Sequence, residues 1–315
     1  YASEDVLEDA NLYTVKFRTS VDRPFREDKN AGLRKGSGFL VNKDKGLILT
    51  NAHVTGRSKS KVRVAFKNYG FSPVKQVYID PRIDIAIVKI DPKLIPKEAK
   101  EAKLKCDGKV PSGTSVAAFG HPKGLSFSAS RGIVSKYRFL SGRDVIQTDT
   151  AINKGNSGGP LIDMNTGFVI GINKSSFSKS TGLSFAVPAK NVCIILDLFN
   201  ENKNPSPITL PIRFAEDREA EDYLKVGSFF YKGKNIEIGS SLIAVNDTPI
   251  KTPSELDFFL RGKTGEAILT FRNNGSNTKY NITINPEERI LDRKYLYLSG
   301  AIISRDPRTM YDEKE

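Results

Sequence analysis

The first 190 residues are dominated by short segments rich in β-forming residues, and this pattern limits the possible folds most strongly. Turns containing Gly, Pro, Asn and Asp separate the segments. The segments are residues 12–18, 38–41, 47–50, 61–66, 85–90, 115–119, 169–172 and 183–187. Several short strands at this spacing favour a sandwich or a barrel over alternating strands and helices. The first region is therefore predicted to be all-β.

The hydrophobic period changes after this region. Val192, Ile195, Leu196 and Phe199 fall at helical spacing behind Pro188, which predicts a helix over residues 188–199. Residues 201–211 contain three prolines and disfavour regular structure. We therefore predict that a first domain covers residues 1–200 and that 201–211 form a linker.

The residues after the linker predict a smaller β-rich module with one helix. Thr252 as cap, Pro253 at the first position and Glu255 at the third predict a helix that ends near residue 261. A strand is predicted at 241–245, and Asn-Asn-Gly at 273–275 predicts a hairpin between strands 267–271 and 278–284. The module is expected over 212–287. Residues 288–315 would be a tail packed on this module or the start of a further unit.

Composition argues against a dedicated nucleic-acid-binding protein and against a membrane-spanning protein. The 315 residues carry 49 Lys and Arg against 36 Asp and Glu, a formal net charge of +13. These charges are interspersed rather than clustered, so we predict a basic surface without a dedicated nucleic-acid partner. The longest apolar runs are far shorter than the roughly 20 residues that span a bilayer, and no membrane span is predicted.

Cys106 and Cys193 are the only cysteines, so no disulfide framework is predicted.

The strongest chemical signal is the hexapeptide Gly-Asn-Ser-Gly-Gly-Pro at residues 155–160. A glycine-rich turn can present the hydroxyl of Ser157 and direct backbone N–H groups toward one spot. The alternative is an ordinary glycine-rich loop in which Ser157 is simply polar and exposed. A serine also needs a base to become a nucleophile.

The candidates for a base are few, because the chain has two histidines. His53 follows an apolar run, and His121 lies in a Gly-His-Pro turn that suggests a structural role. Asp84 heads an apolar segment that is predicted to be a buried strand, where a carboxylate needs a partner. That partner could be Arg82, a backbone cap or the Nδ1–H group of a histidine.

These sites become informative in combination. His53, Asp84 and Ser157 follow one another in the order His, Asp, Ser on an all-β scaffold. This is the order of chymotrypsin and differs from that of subtilisin and of α/β-hydrolases. The predicted constellation uses none of the excess Lys and Arg residues.

Several longer motifs resemble the HtrA/Deg family of serine proteases. They are TNAHV, DIAIV, GHPKG with RGIVS, QTDTAINKGNSGGPL, and GLSFAVP at 182–188. The resemblance covers about residues 5–200 and implies two packed six-stranded β-barrels in a chymotrypsin-like arrangement, with the triad between them. In this family one or two PDZ domains follow the protease domain.

The resemblance assigns a role to each candidate residue. Ser157 Oγ would attack the scissile carbonyl, His53 would accept and later return the proton, and Asp84 would fix the imidazole tautomer. The backbone N–H groups of Gly155 and Ser157 would form the oxyanion hole, and Asn156 would shape that loop. No cofactor and no metal are implied.

A specificity pocket can also be proposed from the resemblance. Ala151 lies six residues before the nucleophile, at the expected floor of the pocket, where the absence of an acid should disfavour Lys and Arg. The walls would come from Ile152, Phe177 and Leu183, which implies cleavage after small aliphatic residues. The alternative is that these residues belong to the ordinary core.

The smaller module resembles a PDZ domain in residues 239–246 and in the helix at 252–261. PDZ domains of this family hold a peptide carboxylate with N–H groups of a glycine-rich turn, whereas Pro211 stands in the nearest segment and has no N–H group. Capture of C-termini is therefore in doubt, and the module would be regulatory or structural.

The sequence thus predicts an ATP-independent serine endopeptidase for unfolded or misfolded proteins. Two alternatives are a catalytically silent chaperone on the same fold and a polyanion-binding protein. The resemblance implies a homotrimer or higher oligomer and a periplasmic, secreted or organellar location. The sequence begins at Tyr1 without an apolar signal segment, which leaves open whether a targeting segment has been removed.

Overall fold

A computed structural model of the chain describes residues 3–25, 28, 30–121, 127–140, 143–153, 155–174, 183–215, 224–229, 236–298 and 301–304. The chain divides into two compact units. The first comprises Tyr1–Ile194, Arg289–Asp292 and Tyr297–Ile302, and the second Ile195–Glu288, Arg293–Leu296 and Ile303–Glu315. Within the described residues, no helix is long and apolar enough to cross a membrane.

The first unit contains two closed barrels of six antiparallel strands each, which confirms the predicted double barrel. The first barrel consists of β1 (Thr14–Val21), β2 (Gly32–Asn42), β3 (Leu47–Thr50), β4 (Lys61–Ala65), β5 (Ser72–Asp80) and β6 (Ile85–Lys89). The second consists of β7 (Ser115–Gly120), β8 (Ser128–Leu140), β9 (Arg143–Thr148), β10 (Pro160–Asp163), β11 (Val169–Lys174) and β12 (Ser184–Pro188). The strand orders are β1-β2-β3-β6-β5-β4 and β10-β11-β12-β9-β8-β7.

The apolar runs of the sequence form the centre of the first barrel. All four residues of β3 are buried, as are the first four of β6, and Ile48 pairs with Val88 between these strands. The short helix α2 (Ala52–Thr55) follows β3 directly. The helix thus begins two residues after the end of a strand that is buried on both faces.

The start of the chain differs from the sequence prediction. Residues 12 and 13 belong to helix α1 (Ser3–Tyr13) rather than to a strand, and β1 begins at Thr14. Val6, Ala10 and Tyr13 are buried and lie on one face of the helix, at the i, i+4, i+7 spacing of an amphipathic helix.

One disulfide bond corrects the expectation that the two cysteines play no part in holding the fold. Cys106 is bonded to Cys193, 87 positions away in the sequence. Cys193 lies on helix α3 (Ala189–Asn200), which matches the helix predicted at 188–199 to within one residue at each end. The bond fastens this helix to the segment that precedes β7.

The second unit contains the predicted helix and hairpin. The helix is α4 (Pro253–Leu260), and the hairpin consists of β17 (Gly265–Asn273) and β18 (Ser276–Ile284). The other strands are β13 (Ile212–Phe214), β14 (Val226–Phe229), β15 (Ser241–Val245) and β16 (Thr248–Pro249). The strands form a two-stranded sheet, β13-β14, and a four-stranded sheet, β16-β15-β17-β18. Thr252 caps α4 as predicted, because its hydroxyl accepts a hydrogen bond from Glu255 N at 3.1 Å. The strands β19 (Tyr295–Leu298) and β20 (Ala301–Ser304) form a separate pair.

The disulfide should contribute measurably to stability. Replacing both cysteines, Cys106→Ala with Cys193→Ala, is expected to lower the free energy of unfolding by about 2–5 kcal/mol, because the bond closes a long loop in the unfolded chain. Urea unfolding of the two proteins measures the difference. A reductant should destabilise the wild type and leave the double variant unchanged; equal sensitivity of both to reductant would contradict the expectation.

Candidate active site

Asp84 is held in place by the helix that carries His53. It lies in the turn between β5 and β6 with a φ of 64°, a left-handed conformation that Asp and Asn tolerate better than most residues. Its carbonyl oxygen accepts hydrogen bonds from Ala52 N at 3.2 Å and from Asn51 Nδ2 at 2.9 Å. The turn and the start of α2 are thus tied together by backbone as well as side-chain contacts.

The side chains of His53 and Asp84 meet in this arrangement. Asp84 Oδ2 lies 2.9 Å from His53 Nδ1, and Oδ1 accepts a hydrogen bond from His53 N at 3.0 Å. The Asp84 side chain is completely buried, whereas that of His53 is 32% exposed. An ionised carboxylate can only accept, so Nδ1 carries the proton here and Nε2 of a neutral imidazole is left as the acceptor.

Two cations also face the Asp84 carboxylate. Lys174 Nζ lies 3.3 Å from Oδ2, and Arg57 Nη2 lies 3.5 Å from Oδ1. Burial alone would raise the pKa of Asp84, but the hydrogen bond and charge of His53 and the charges of Lys174 and Arg57 hold that pKa well below its usual range. Burial lowers the pKa of Lys174, and Asp84 partly opposes that change. Asp84 is therefore a buried, ionised and multiply paired carboxylate.

The loop that contains Ser157 is held by hydrogen bonds to its backbone carbonyl groups. Ser37 Oγ donates to Gly155 O at 2.6 Å, and Ser37 N donates to Ser157 O at 2.9 Å. Gly159 N donates to Asn156 O at 3.0 Å, which orients the peptide group that carries the N–H of Ser157. Ser37 belongs to the first barrel and Ser157 to the second, so these bonds join the two barrels at the site.

Close packing brings this loop against the segment that leads to His53. A Cβ atom at Gly158 would lie 2.1 Å from Thr50 Oγ1 and 2.2 Å from Ser37 O, and its φ of 85° also requires glycine. A Cβ atom at Gly36 would meet Val54 at 2.7 Å and Ser157 O at 3.1 Å. Val54 is the residue after His53, so two glycines allow the predicted base and nucleophile to lie on neighbouring backbone segments.

The residues expected to line a specificity pocket differ in their surroundings. Ala151 is exposed and Leu183 is 37% exposed, whereas Ile152 is buried in the core of the second barrel. Ile152 N donates to Ser184 Oγ at 3.2 Å, so the segments around Ile152 and Leu183 lie side by side. Phe177 lies outside the described residues. The specificity pocket stays a prediction.

His121 is placed as a structural residue, in keeping with its turn motif. Its Nδ1 accepts a hydrogen bond from Phe127 N at 3.0 Å, and the two rings meet edge to face. Burial, with a contribution from the charge of Lys16, lowers the pKa of His121 to about 3. The ring is therefore neutral at ordinary pH and is held in place by Phe127.

Three residues that hold the site together were not predicted from the sequence. Lys174 and Arg57 contact Asp84, which corrects the expectation that the site uses none of the excess cations. Ser37 holds the Ser157 loop although it lies in a different barrel. The sequence carries a weak signal only for Lys174, which directly follows the Gly-Ile-Asn segment at 171–173.

Comparisons with known proteins show which family this chain is similar to. Residues 36–172 match the family model of the trypsin-like peptidase domain. The chain is 33% identical over 276 residues to a probable periplasmic serine endoprotease, DegP-like, of Pseudomonas putida strain W619, covering 79% of this chain and 55% of the relative. It is 38% identical over 172 residues to serine protease HTRA1A of Danio rerio, covering 52% and 34%. The chain thus spans about half the length of the Pseudomonas putida relative and about a third of the length of the Danio rerio relative.

Solved structures share the fold. The HtrA-type protease AlgW with a tripeptide superposes with a TM-score of 0.71 at 23% identity, covering 90% of this chain and 97% of the other. The serine endoprotease from Yersinia pestis superposes with a TM-score of 0.68 at 24% identity, covering 91% and 99%. At this level of identity the structures establish the fold alone.

The pairing of Asp84 should make stability depend on acid pH. Because its pKa is lowered on folding, the pairing stabilises the protein above the unfolded pKa of about 4 and is lost as the pH falls toward the folded value. Asp84→Asn is expected to lower the free energy of unfolding by about 3–5 kcal/mol at pH 7, with a smaller difference at pH 3. Urea unfolding at both pH values measures this.

Asp9→Asn is the matched control. Asp9 forms a 2.7 Å ion pair with Lys100 in which both side chains are at least half exposed, so its loss should cost less than about 1 kcal/mol. Equal costs for the two variants, or a cost at Asp84 that does not change with pH, would contradict the prediction.

Proposed function

The chain belongs to the HtrA family of serine proteases, and from this membership we propose that it is a serine endopeptidase that cleaves unfolded or misfolded proteins without ATP. The observation that carries the proposal is the contact of 2.9 Å between His53 Nδ1 and the buried Asp84 carboxylate. Its second support is the tight packing of the Ser157 loop against the backbone beside His53.

In the proposed mechanism, His53 Nε2 removes the proton from Ser157 Oγ as that oxygen attacks the scissile carbonyl. Asp84 accepts the Nδ1–H bond throughout, which keeps Nε2 unprotonated in the resting enzyme and stabilises the imidazolium when it forms. His53 then gives its proton to the leaving amine, and a water molecule, activated in the same way, hydrolyses the acyl-enzyme. The released products are two peptides.

The backbone N–H groups of Gly155 and Ser157 are proposed to bind the oxyanion of the tetrahedral intermediate. Hydrogen bonds to Ser37 at the carbonyl groups of both residues support a loop that is rigid before substrate binds. Such fixed donors stabilise developing charge without reorganisation, commonly by about 3–4 kcal/mol for each donor. Asn156 is proposed to shape the loop through its backbone.

The substrate is proposed to be an unfolded chain with a small aliphatic residue before the cut. Ala151 supplies no carboxylate at the proposed pocket floor, and Ile152, Phe177 and Leu183 are proposed as apolar walls. Since Ile152 is buried in the barrel core, its contribution would be to support the pocket from behind.

Residues 212–287 are proposed to form a PDZ-like domain with a regulatory or structural role, between the linker 201–211 and the tail 288–315. The capped helix α4 beside a four-stranded sheet supports this proposal, and Pro211 argues against ordinary capture of a peptide carboxylate.

A periplasmic or secreted location is proposed for this protein, as a homotrimer or higher homo-oligomer. The location is supported by the description of the Pseudomonas relative as periplasmic and by the disulfide bond, because such bonds persist in oxidising compartments. The proposed partners are protein substrates and other copies of the chain.

The central prediction is that Ser157→Ala abolishes proteolysis. The wild type should degrade reduced casein, and the variant should be slower by a factor of at least about 10³, because the nucleophile is removed. Ser276→Ala, at an exposed position of the β17–β18 hairpin, is the matched control and should retain full activity. Cleavage by Ser157→Ala would overturn the role of Ser157, and an inactive wild type would favour the silent chaperone instead.

A second prediction concerns the residue before the cut. Mass-spectrometric mapping of casein fragments should find mainly Val, Ala and Ile at that position. Ala151→Asp should add cleavage after Lys and Arg, because the new carboxylate would pair with their charges at the pocket floor. A wild-type majority after Lys or Arg, or an unchanged pattern in the variant, would contradict the proposed pocket.

A further inference from the structure

Lys174 competes with His53 for one oxygen atom. Its Nζ lies 3.3 Å from Asp84 Oδ2, and His53 Nδ1 lies 2.9 Å from the same oxygen. The two nitrogen atoms are therefore no more than about 6 Å apart, within the range where charges interact strongly. The Lys174 side chain is only 12% exposed, so water screens its charge poorly.

The position of Lys174 is fixed by the strand that also holds the Ser157 loop. Lys174 ends β11 and pairs with Phe185 of β12. The residue before it, Asn173, is buried, accepts a hydrogen bond from Gly158 N at 2.9 Å and donates its own N–H to Gly159 O at 2.8 Å. The ammonium group is thus presented to Asp84 from a rigid part of the second barrel.

An ammonium group beside Asp84 changes how strongly the carboxylate stabilises the protonated form of the imidazole. A carboxylate alone favours the protonated imidazole, whereas a nearby cation opposes the second positive charge. We propose that Lys174 is a positioning residue for the catalytic base, and that by sharing Asp84 Oδ2 with His53 it sets the pH range in which the base is available. This inference rests on the proposed function of His53.

Lys174 has the most direct effect of the charged groups around this pair. The others are Arg57, Arg143, Asp80, Arg82, Asp28 and Arg34. Arg57 approaches the other oxygen of Asp84 at 3.5 Å with a side chain that is 30% exposed, so its effect should be weaker. Arg34 contacts the carbonyl oxygen of His53 and is paired with Asp28, which balances its charge.

The test replaces the charge of Lys174 while keeping its volume. The measurement is the dependence of kcat/KM on pH for a peptide substrate. In Lys174→Met, the acidic limb of this pH profile is expected to move to higher pH by about one unit, because the His53 imidazole would hold its proton more firmly. Lys174→Arg keeps a cation and should return the limb toward its wild-type position. A merely structural role would lower kcat/KM or stability in Lys174→Met without moving the limb, and that result would overturn the inference.

Lys190→Met is the matched control. Lys190 forms an ion pair with Asp144 at the same distance of 3.3 Å, and among the described residues neither is hydrogen-bonded or ion-paired to His53 or Asp84. Its variant removes one positive charge and should leave the limb in place. An equal shift in Lys190→Met would mean that net charge alone moves the profile and would also overturn the inference.

A spectroscopic readout separates this inference from the proposed function. The chain has two histidines, and Nδ1 of His121 accepts a hydrogen bond, so His53 supplies the one imidazole Nδ1 proton. In Lys174→Met this proton resonance should move downfield, because Oδ2 of Asp84 is no longer shared, and it can be recorded in a protein that cleaves nothing. An inactive wild type with the shift would refute the proteolytic function alone, whereas an active enzyme without the shift would refute the role of Lys174.

Discussion

The completely buried charge of Asp84 is the constraint on which the site depends. A buried carboxylate is tolerable only if its oxygens are paired, and this one is paired by groups from both barrels. His53 and Arg57 approach from α2 and the residues after it, and Lys174 from β11. Movement of the second barrel relative to the first would separate Lys174 from this charge. The pairing therefore fixes the imidazole and joins the two barrels.

Ser37 forms a second connection between the barrels, and it acts on the loop that contains Ser157. Its N–H and hydroxyl groups bind the carbonyl oxygens of Ser157 and Gly155, and its hydroxyl also accepts a hydrogen bond from His121 N at 3.1 Å. The loop is thus rigid because the first barrel holds it, although its residues belong to the second. The proposed base and nucleophile each depend on contacts that cross from one barrel to the other.

The sequence predicted what local patterns encode. Short β-forming segments indicated a sandwich or a barrel, and the resemblance to the HtrA/Deg family narrowed this to two barrels. The position of Asp84 beside an apolar strand indicated a partner, with Arg82, a backbone cap and a histidine left open. The helix that ends at Tyr13 was missed because its apolar residues are few, and Val6 and Ala10 gave no strong periodic signal. The bond between Cys106 and Cys193 and the contact of Lys174 with Asp84 join residues that are distant in sequence, so they depend on tertiary packing that single-sequence patterns do not encode.

The positively charged residues of the chain differ in their physical effect according to where they lie. Exposed Lys and Arg residues act at long range and are screened by salt, so they can influence only the rate at which charged substrates arrive. Lys174 is nearly buried beside Asp84, where screening is weak and a single charge alters the balance between carboxylate and imidazole. Net charge counts both kinds equally, although only the cations beside Asp84, Lys174 and Arg57, act on the proposed chemistry. The location of a cation relative to Asp84, rather than the total of +13, therefore decides what that cation does.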